Sequence, residues 1–386
     1  MATVDRWTGR QVRALRESLR MTQVEFARHI GVSDRTAAYW DSNAGMTPRS
    51  EMQAALDTAL VQASPEARER FADALAPRPS AHPASGASPA TPLLDADEAA
   101  SLRRSLALSQ RIDPSTIALL VSQTENIRLQ DRRLGAAVLR DQVNAHIGMM
   151  ESLLRHAVTY QWRSQLAGVL ADTATLAAWQ SLDLGLFDTA WRMYESAKAA
   201  ALESQSPAHY AHATSEQAYV LVDLGMTREA VECVAQVIEQ YGAKVPDRLR
   251  AWLHAVYAEV CAADGAEREA LRSLERADHL LPSGPGDPDL PFLSLDASHL
   301  ARWRGHCLAR LGVAGAVDDA ASALDAMDRS FTRAEAGLRC DYATALAHAG
   351  EREEAEQQLA QARHLATMTS SSRQLRRIET ASALLV

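Results

Sequence analysis

The stretch TQVEFARHIGVSDRTAAYW, Thr22 to Trp40, encodes two short helices and the turn between them. Thr22 followed by Glu25 is a capping box, in which each side chain serves a backbone amide that the first helical turn leaves without a partner. Phe26, Ala27 and Ile30 then fall on one face of the first helix, and Ser33 opens the second, where Ala37 and Trp40 point inward.

Working outward, Thr8 and Gln11 form a second capping box, ahead of a helix that places Val12, Leu15 and Leu19 on one side. Thr47-Pro48 and Ser64-Pro65 mark two more starts, with Pro at the first helical position, where its missing N–H costs nothing. Five short helices are therefore expected within residues 1–75, packed as a small bundle. The segment Ala76 to Pro92, APRPSAHPASGASPATP, contains no large apolar residue and reads as a linker. As a flexible chain it has an r.m.s. span of roughly 20–25 Å.

Beyond the linker, residues 93–386 read as helical throughout, with no strand-like alternation, so the fold class is all-α. Gly185, Gly225, Gly265, Gly312 and Gly350 each end a helical run, at intervals of 40, 40, 47 and 38 residues. Five residues after them stand Ala190, Ala230, Ala270 and Ala355, with Val317 in the fourth unit. Seven residues before them stand Ala178, Ala218, Ala258, Gly305 and Ala343. Small residues facing each other at fixed offsets let antiparallel helices approach closely and stack on the next pair, which predicts a helical-repeat array. Asp113 to His156 is helical without this register and reads as atypical first repeats or an interdomain bracket. Pro282 to Pro291 reads as an insertion between repeats, and Ser371 to Val386 as a capping helix.

Charge divides along the same boundary. The chain of 386 residues carries a formal charge of −9, yet residues 1–50 hold eight arginines against five acidic residues. A basic head on an acidic body fits a nucleic-acid reader whose body does not adhere to phosphate. No apolar run is long enough to span a bilayer and the N-terminus lacks a secretory signal, so a cytoplasmic protein without membrane contact is expected. Cys233, Cys261, Cys307 and Cys340 are widely spaced and read as buried free thiols. His299, His306 and Cys307 do not make a metal site, because the two histidines lie two helical turns apart. No glycine-rich phosphate loop or nucleophile elbow is present, and the chain reads as a non-enzyme that needs no cofactor.

Thr22 to Trp40 resembles the helix-turn-helix of the lambda-repressor-like (Cro/C1, or XRE) family: Thr-Gln opens the first helix, Ala27 lies at the helix crossing, Gly31 and Val32 make the turn and Ser33 caps the second helix. The resemblance covers about residues 8–62. It implies that the helix from Ser33 to Asp41 enters the major groove of duplex DNA, presenting Asp34, Arg35, Ala38 and Tyr39. Arg35 suits a bidentate contact to guanine, and Asp34 suits either a cytosine amino group or the orienting of Arg35. Tyr39 reaches a phosphate or a thymine methyl, Gln23 meets the backbone, and Arg20, Asn43 and Arg49 are further phosphate candidates.

LDLGLFDTAWRMYESAKAAA (Leu182 to Ala201) and LAHAGEREEAEQQLAQARHLA (Leu346 to Ala366) resemble tetratricopeptide repeats (TPR). In that family the first helix of each pair lines a concave groove. The implied groove residues are Asp172, Trp179, His212, Tyr219, Trp252, Glu259, His299, Arg302 and His306. The combination is similar to that of actinobacterial XRE regulators and of Gram-positive quorum-sensing regulators. It implies a sequence-specific transcription regulator: a homodimer on a double-stranded operator, with repeats that dimerise and sense a small molecule or a peptide. Asn occurs only at 43, 126 and 144, so the carboxamides with which the peptide sensors grip backbone are missing here. The alternative is a DNA-tethered scaffold whose repeats dock a partner protein.

Overall fold

A computed structural model of the chain describes residues 7–75 and 96–385, apart from residues 44, 285, 288 and 314. Among them there is no strand, and the chain divides into two units, Met1–Pro92 and Leu93–Val386. The expected linker, residues 76–92, lies outside the described residues. No helix among those described is long and apolar enough to cross a membrane.

In the first unit the caps set the helices. Thr22 accepts from the Glu25 amide at 3.3 Å and its own amide donates to the Glu25 carboxylate at 2.9 Å, opening α2 (Gln23–Ile30). Ser33 accepts from the Thr36 amide at 3.1 Å and opens α3 (Asp34–Ser42). Helix α1 (Gly9–Ser18) starts behind Thr8, whose amide donates to the Gln11 carboxamide at 2.9 Å, and α5 (Pro65–Leu75) starts behind Ser64. Helix α4 (Ser50–Gln62) begins two residues later than Thr47-Pro48 suggests. The Gln53 side chain donates to the Pro48 carbonyl at 3.0 Å, and Arg49 stays extended as the N-cap. Val12, Leu15, Phe26, Ile30 and Trp40 pack with Leu56 and Phe71, and Trp7 closes the bundle by donating to Asp57 at 2.7 Å.

The second unit is built of helix pairs. After α6 (Ala96–Ser109) come α7 (Pro114–Leu134) with α8 (Arg140–His156), α9 (Tyr160–Asp183) with α10 (Phe187–Glu203), and α11 (Pro207–Asp223) with α12 (Thr227–Tyr241). They are followed by α13 (Asp247–Ala263) with α14 (Glu267–Leu280), α15 (Ala297–Leu311) with α16 (Ala316–Asp325), α17 (Thr332–Ala349) with α18 (Arg352–Met368), and lastly α19 (Ser372–Ser382). The five repeat glycines all have φ between 64° and 83°. The small residues expected at helix crossings, Ala178, Ala190, Ala218, Ala230, Ala258, Ala270, Ala343 and Ala355, are all buried. Val317 breaks the pattern because α16 starts four residues after Gly312 instead of two after its glycine, and Ala320 takes the position against Gly305 instead.

Three features depart from an open solenoid. The first helices of the pairs pack in the order α7, α9, α11, α13, α15, α17, and α17 then lies against α7, so the series returns on itself. Gly135 marks the seam: its φ is 83°, and a Cβ there would sit 2.5 Å from the Thr369 carbonyl oxygen, so no larger residue fits. Helix α19 packs on α9, α17 and α18, where a helix capping the end of an array would lie beyond the last pair. It is drawn inward by charge, with Arg373 donating to Asp223 at 3.0 Å and Ser371 to Asp183 at 2.5 Å. The insertion after α14 is also structural, since Leu290, Phe292, Leu293 and Leu295 are buried in the core. All four cysteines are free, and Cys233 is half-buried while the other three are buried as expected.

Candidate functional site

In the first unit, Ser33, Asp34, Arg35 and Tyr39 are exposed on α3, Tyr39 to 57 %, and Ala38 is half-buried between them. Ala37 and Trp40 hold the opposite face of the helix in the core. The side chains of Asp34 and Arg35 hydrogen-bond to no described residue. Gly31 turns the chain between α2 and α3 at φ 80°, and the Val32 amide donates to the Ala27 carbonyl at 2.9 Å.

The flanking candidates are more committed. Gln23 donates to Asp41 at 2.9 Å, and Arg16 holds the same carboxylate at 2.8 Å, so a buried Asp41 ties α1, α2 and α3 together. Burial opposes the Asp41 charge, but the bonds from Arg16 and Gln23 outweigh it and keep the carboxyl below its usual range. Gln23 thus spends one amide proton inside the protein. Asn43 donates to the Tyr39 carbonyl at 2.8 Å and closes the end of α3. Arg20, at φ 56°, and Arg49 are exposed.

In the second unit, the nine expected groove residues lie along the inner helices α9, α11, α13 and α15, and most of them contact one another or the same partners. Asp172 takes two bonds from Arg128 of α7, at 2.6 and 2.8 Å. His212 lies between Trp252 and Phe292, with centroids 4.8 and 4.6 Å away and the rings tilted at 46° and 39°, and burial pushes its pKa well down. Tyr219 donates to Glu259 at 2.8 Å and Trp303 donates to the same carboxylate at 2.6 Å. His306 stands between Glu259, at 3.3 Å, and Asp341, at 2.7 Å. Burial disfavours its charge, yet the two carboxylates win and raise its pKa, while Glu259 is held well below the usual carboxylate range. Trp179 lies under the guanidinium of Arg373 at 5.3 Å.

These groups form the wall of a cavity of about 380 Å³, to which Trp179, Glu259, His299, Arg302 and His306 contribute from the expected set. Arg132, Trp303, Phe331, Arg333, Asp341 and Arg377 complete the parts of the wall that matter chemically. Those six were not foreseen. Arg132 belongs to the region without repeat register, and Arg377 belongs to the helix read as a cap. The spacing of Arg373, Arg376 and Arg377 on one face of α19 was the available signal that this helix meets acidic partners. Among the described residues, no group of three or more His, Cys, Asp or Glu could hold a metal ion.

No protein-family model and no curated protein matches the chain. Among solved structures, a tetratricopeptide repeat protein from Parabacteroides merdae is similar at 17 % identity, with a TM-score of 0.37, over 74 % of this chain and 99 % of that one. A Podosopora anserina kinesin light chain protein of nearly identical TPR-like repeats is similar at 16 % identity and TM-score 0.27, over 64 % and 98 %. The TPR domain of P58(IPK) is similar at 15 % identity and TM-score 0.23, over 98 % and 77 %. Likeness at these TM-scores carries no weight on function, and the TPR-like character of the second unit stands on its own helix pairs.

Proposed function

We propose that the protein is a DNA-binding transcription regulator that reads duplex sequence through α3 and responds to a signal held by its repeat unit. The observation that carries the reading is Arg35: a guanidinium without a partner among the described residues, on the first turn of a helix capped at Ser33 and fixed from behind by Trp40. A helix so held offers its amino-terminal side chains to base edges in the major groove, while exposed Arg20 and Arg49 serve phosphates. A homodimer would place two such helices on half-sites about one helical turn apart. Signal binding changes DNA affinity only if the ligand prefers one of two states of the repeat unit. Selection of duplexes from a random pool by the full chain tests the reading. A recurrent sequence that Arg35→Ala no longer enriches supports it, and a pool without preference refutes it.

The second reading is a scaffold. Helical-repeat units commonly dock proteins, and α7 and α8 with their flanks expose Leu119, Leu129, Val138 and Val158 by 49 to 75 %. On this reading the head tethers the partner to DNA. Co-purification of a stoichiometric partner that Leu119→Asp releases would favour it.

A further inference from the structure

We propose that the cavity inside the second unit binds a small aromatic anion, its carboxylate or phosphate head held by Arg132 and Arg302 and its planar body lying among Trp179, Trp303 and Phe331. This deepens the sensing half of the proposed function and rests on it for its biological role, but not for its chemistry.

Four arginines line the cavity, and two of them are already engaged. Arg333 donates to Asp131 at 2.6 Å and lies 3.5 Å from Asp183, and Arg377 donates to Asp341 at 2.5 Å. Arg132 and Arg302 have neither a hydrogen bond nor an ion pair with any described residue, although both are half-buried. The nearby carboxylates are not free to serve them: Glu259 is taken by Tyr219, Trp303 and His306, and Asp341 by His306 and Arg377. Asp296 caps α15 and holds His299 at 2.7 Å.

Arg132, Arg302 and His299 line the same cavity, and the pKa of His299 is lowered by burial first, with Asp296 opposing and the charges of Arg302 and Arg132 adding to the lowering. Their own pKa values are lowered by burial, and for Arg132 also by the adjacent Arg128. Glu125 and Asp131 act on Arg132, and Asp296 on Arg302, without a hydrogen bond or close ion pair, so an anionic head between the two guanidiniums gains charge-assisted hydrogen bonds that those carboxylates do not make.

The remainder of the wall selects the body of the ligand. Trp303 is fixed by its bond to Glu259 and stands edge-on to Trp252 at 85°, and Phe331 lies under Arg132 at 5.9 Å. A volume of about 380 Å³ lies within the range of small-ligand pockets and is short for an extended peptide. No asparagine lines it to grip peptide backbone.

Isothermal titration of the full chain with indole-3-acetate, benzoate and phenyl phosphate, against the neutral indole-3-acetamide, tests the assignment. At least one anion should bind ten or more times tighter than the amide, and Arg132→Gln and Arg302→Gln should each weaken it tenfold or more. Neither substitution should lower the melting temperature of the free protein by more than a degree or two, since neither guanidinium hydrogen-bonds to a described residue and Arg132 loses only its contact with the Phe331 ring. The carboxylate and phosphate arms identify the head group. Absence of binding by all three anions at millimolar concentration, or binding that ignores both arginines, overturns the proposal. Anion binding that leaves DNA affinity unchanged removes the sensing role and keeps the site.

Discussion

Arg333 of α17 donates to Asp131 of α7 across 2.6 Å, and 202 positions of sequence separate the two residues. The same guanidinium lies 3.5 Å from Asp183 on α9, so one arginine joins the first, second and last inner helices of the array. Its charge is stabilised by both carboxylates against the cost of burial. Removing it strands two buried anions, a loss of about 3–5 kcal/mol for a buried pair. Arg333→Met should therefore lower the unfolding free energy of the second unit, measured in urea, by that amount, and Asp131→Leu in the same chain should recover part of it. A loss no larger than that of a surface substitution would mean that the seam between α7 and α17 contributes nothing.

A tighter constraint operates in the first unit. A Cβ at Gly9 would lie 2.0 Å from the Asn43 carbonyl oxygen and 2.6 Å from that of Trp40, because α1 begins directly against the end of α3. Gly9→Ala must push these helices apart and should cost roughly 1–3 kcal/mol, the range for overpacking. The melting transition of the first unit should fall, and DNA binding should weaken with it. An unchanged transition would show that the end of α3 is not held by α1.

Glu216 gives the fold a pH dependence with a definite sign. Burial lifts its pKa from 4.5 to about 8, and Tyr194 donates to it at 3.4 Å. His212, 3.6 Å away, is pushed the opposite way, so the two face each other uncharged and not as an ion pair. Between pH 4.5 and 8 the folded chain holds a proton on Glu216 that the unfolded chain has released. The stability this contributes is complete below 4.5 and declines as pH rises, by at most about 1.4 kcal/mol per unit. His212 acts in the other direction, since its unfolded form takes up a proton as pH falls below 6.5. Glu216→Gln removes the first effect alone, so its stability relative to the natural chain should increase steadily from pH 5 to pH 8. Parallel urea midpoints for the two proteins across that range would contradict the assignment.

What could be read from the sequence was local. Thr22 and Glu25 are three residues apart and needed only each other, so the cap of α2 was legible, and the same holds for Ser33 and α3. The repeat glycines and their alanines were legible because the requirement for close helix contact recurs in each unit. The return of α17 to α7 was not, because it depends on accumulated curvature, which no single repeat encodes. Nor was the inward course of α19, whose arginines meet Asp223 and Asp341 on other helices. The residues expected on the inner face lie on α9, α11, α13 and α15, and the open groove they implied is partly filled by Phe292 and α19. Arg132, Arg333 and Arg377 therefore matter more to the cavity than the sequence pattern indicated.

The most direct test of the account is the affinity of the full chain and of Arg35→Ala for a selected duplex and for its scrambled counterpart, measured side by side at one salt concentration. The loss of one bidentate base contact should cost about 1–3 kcal/mol on the selected duplex and almost nothing on the scrambled one. Equal losses on both duplexes, or none on either, would contradict the reading of sequence by α3.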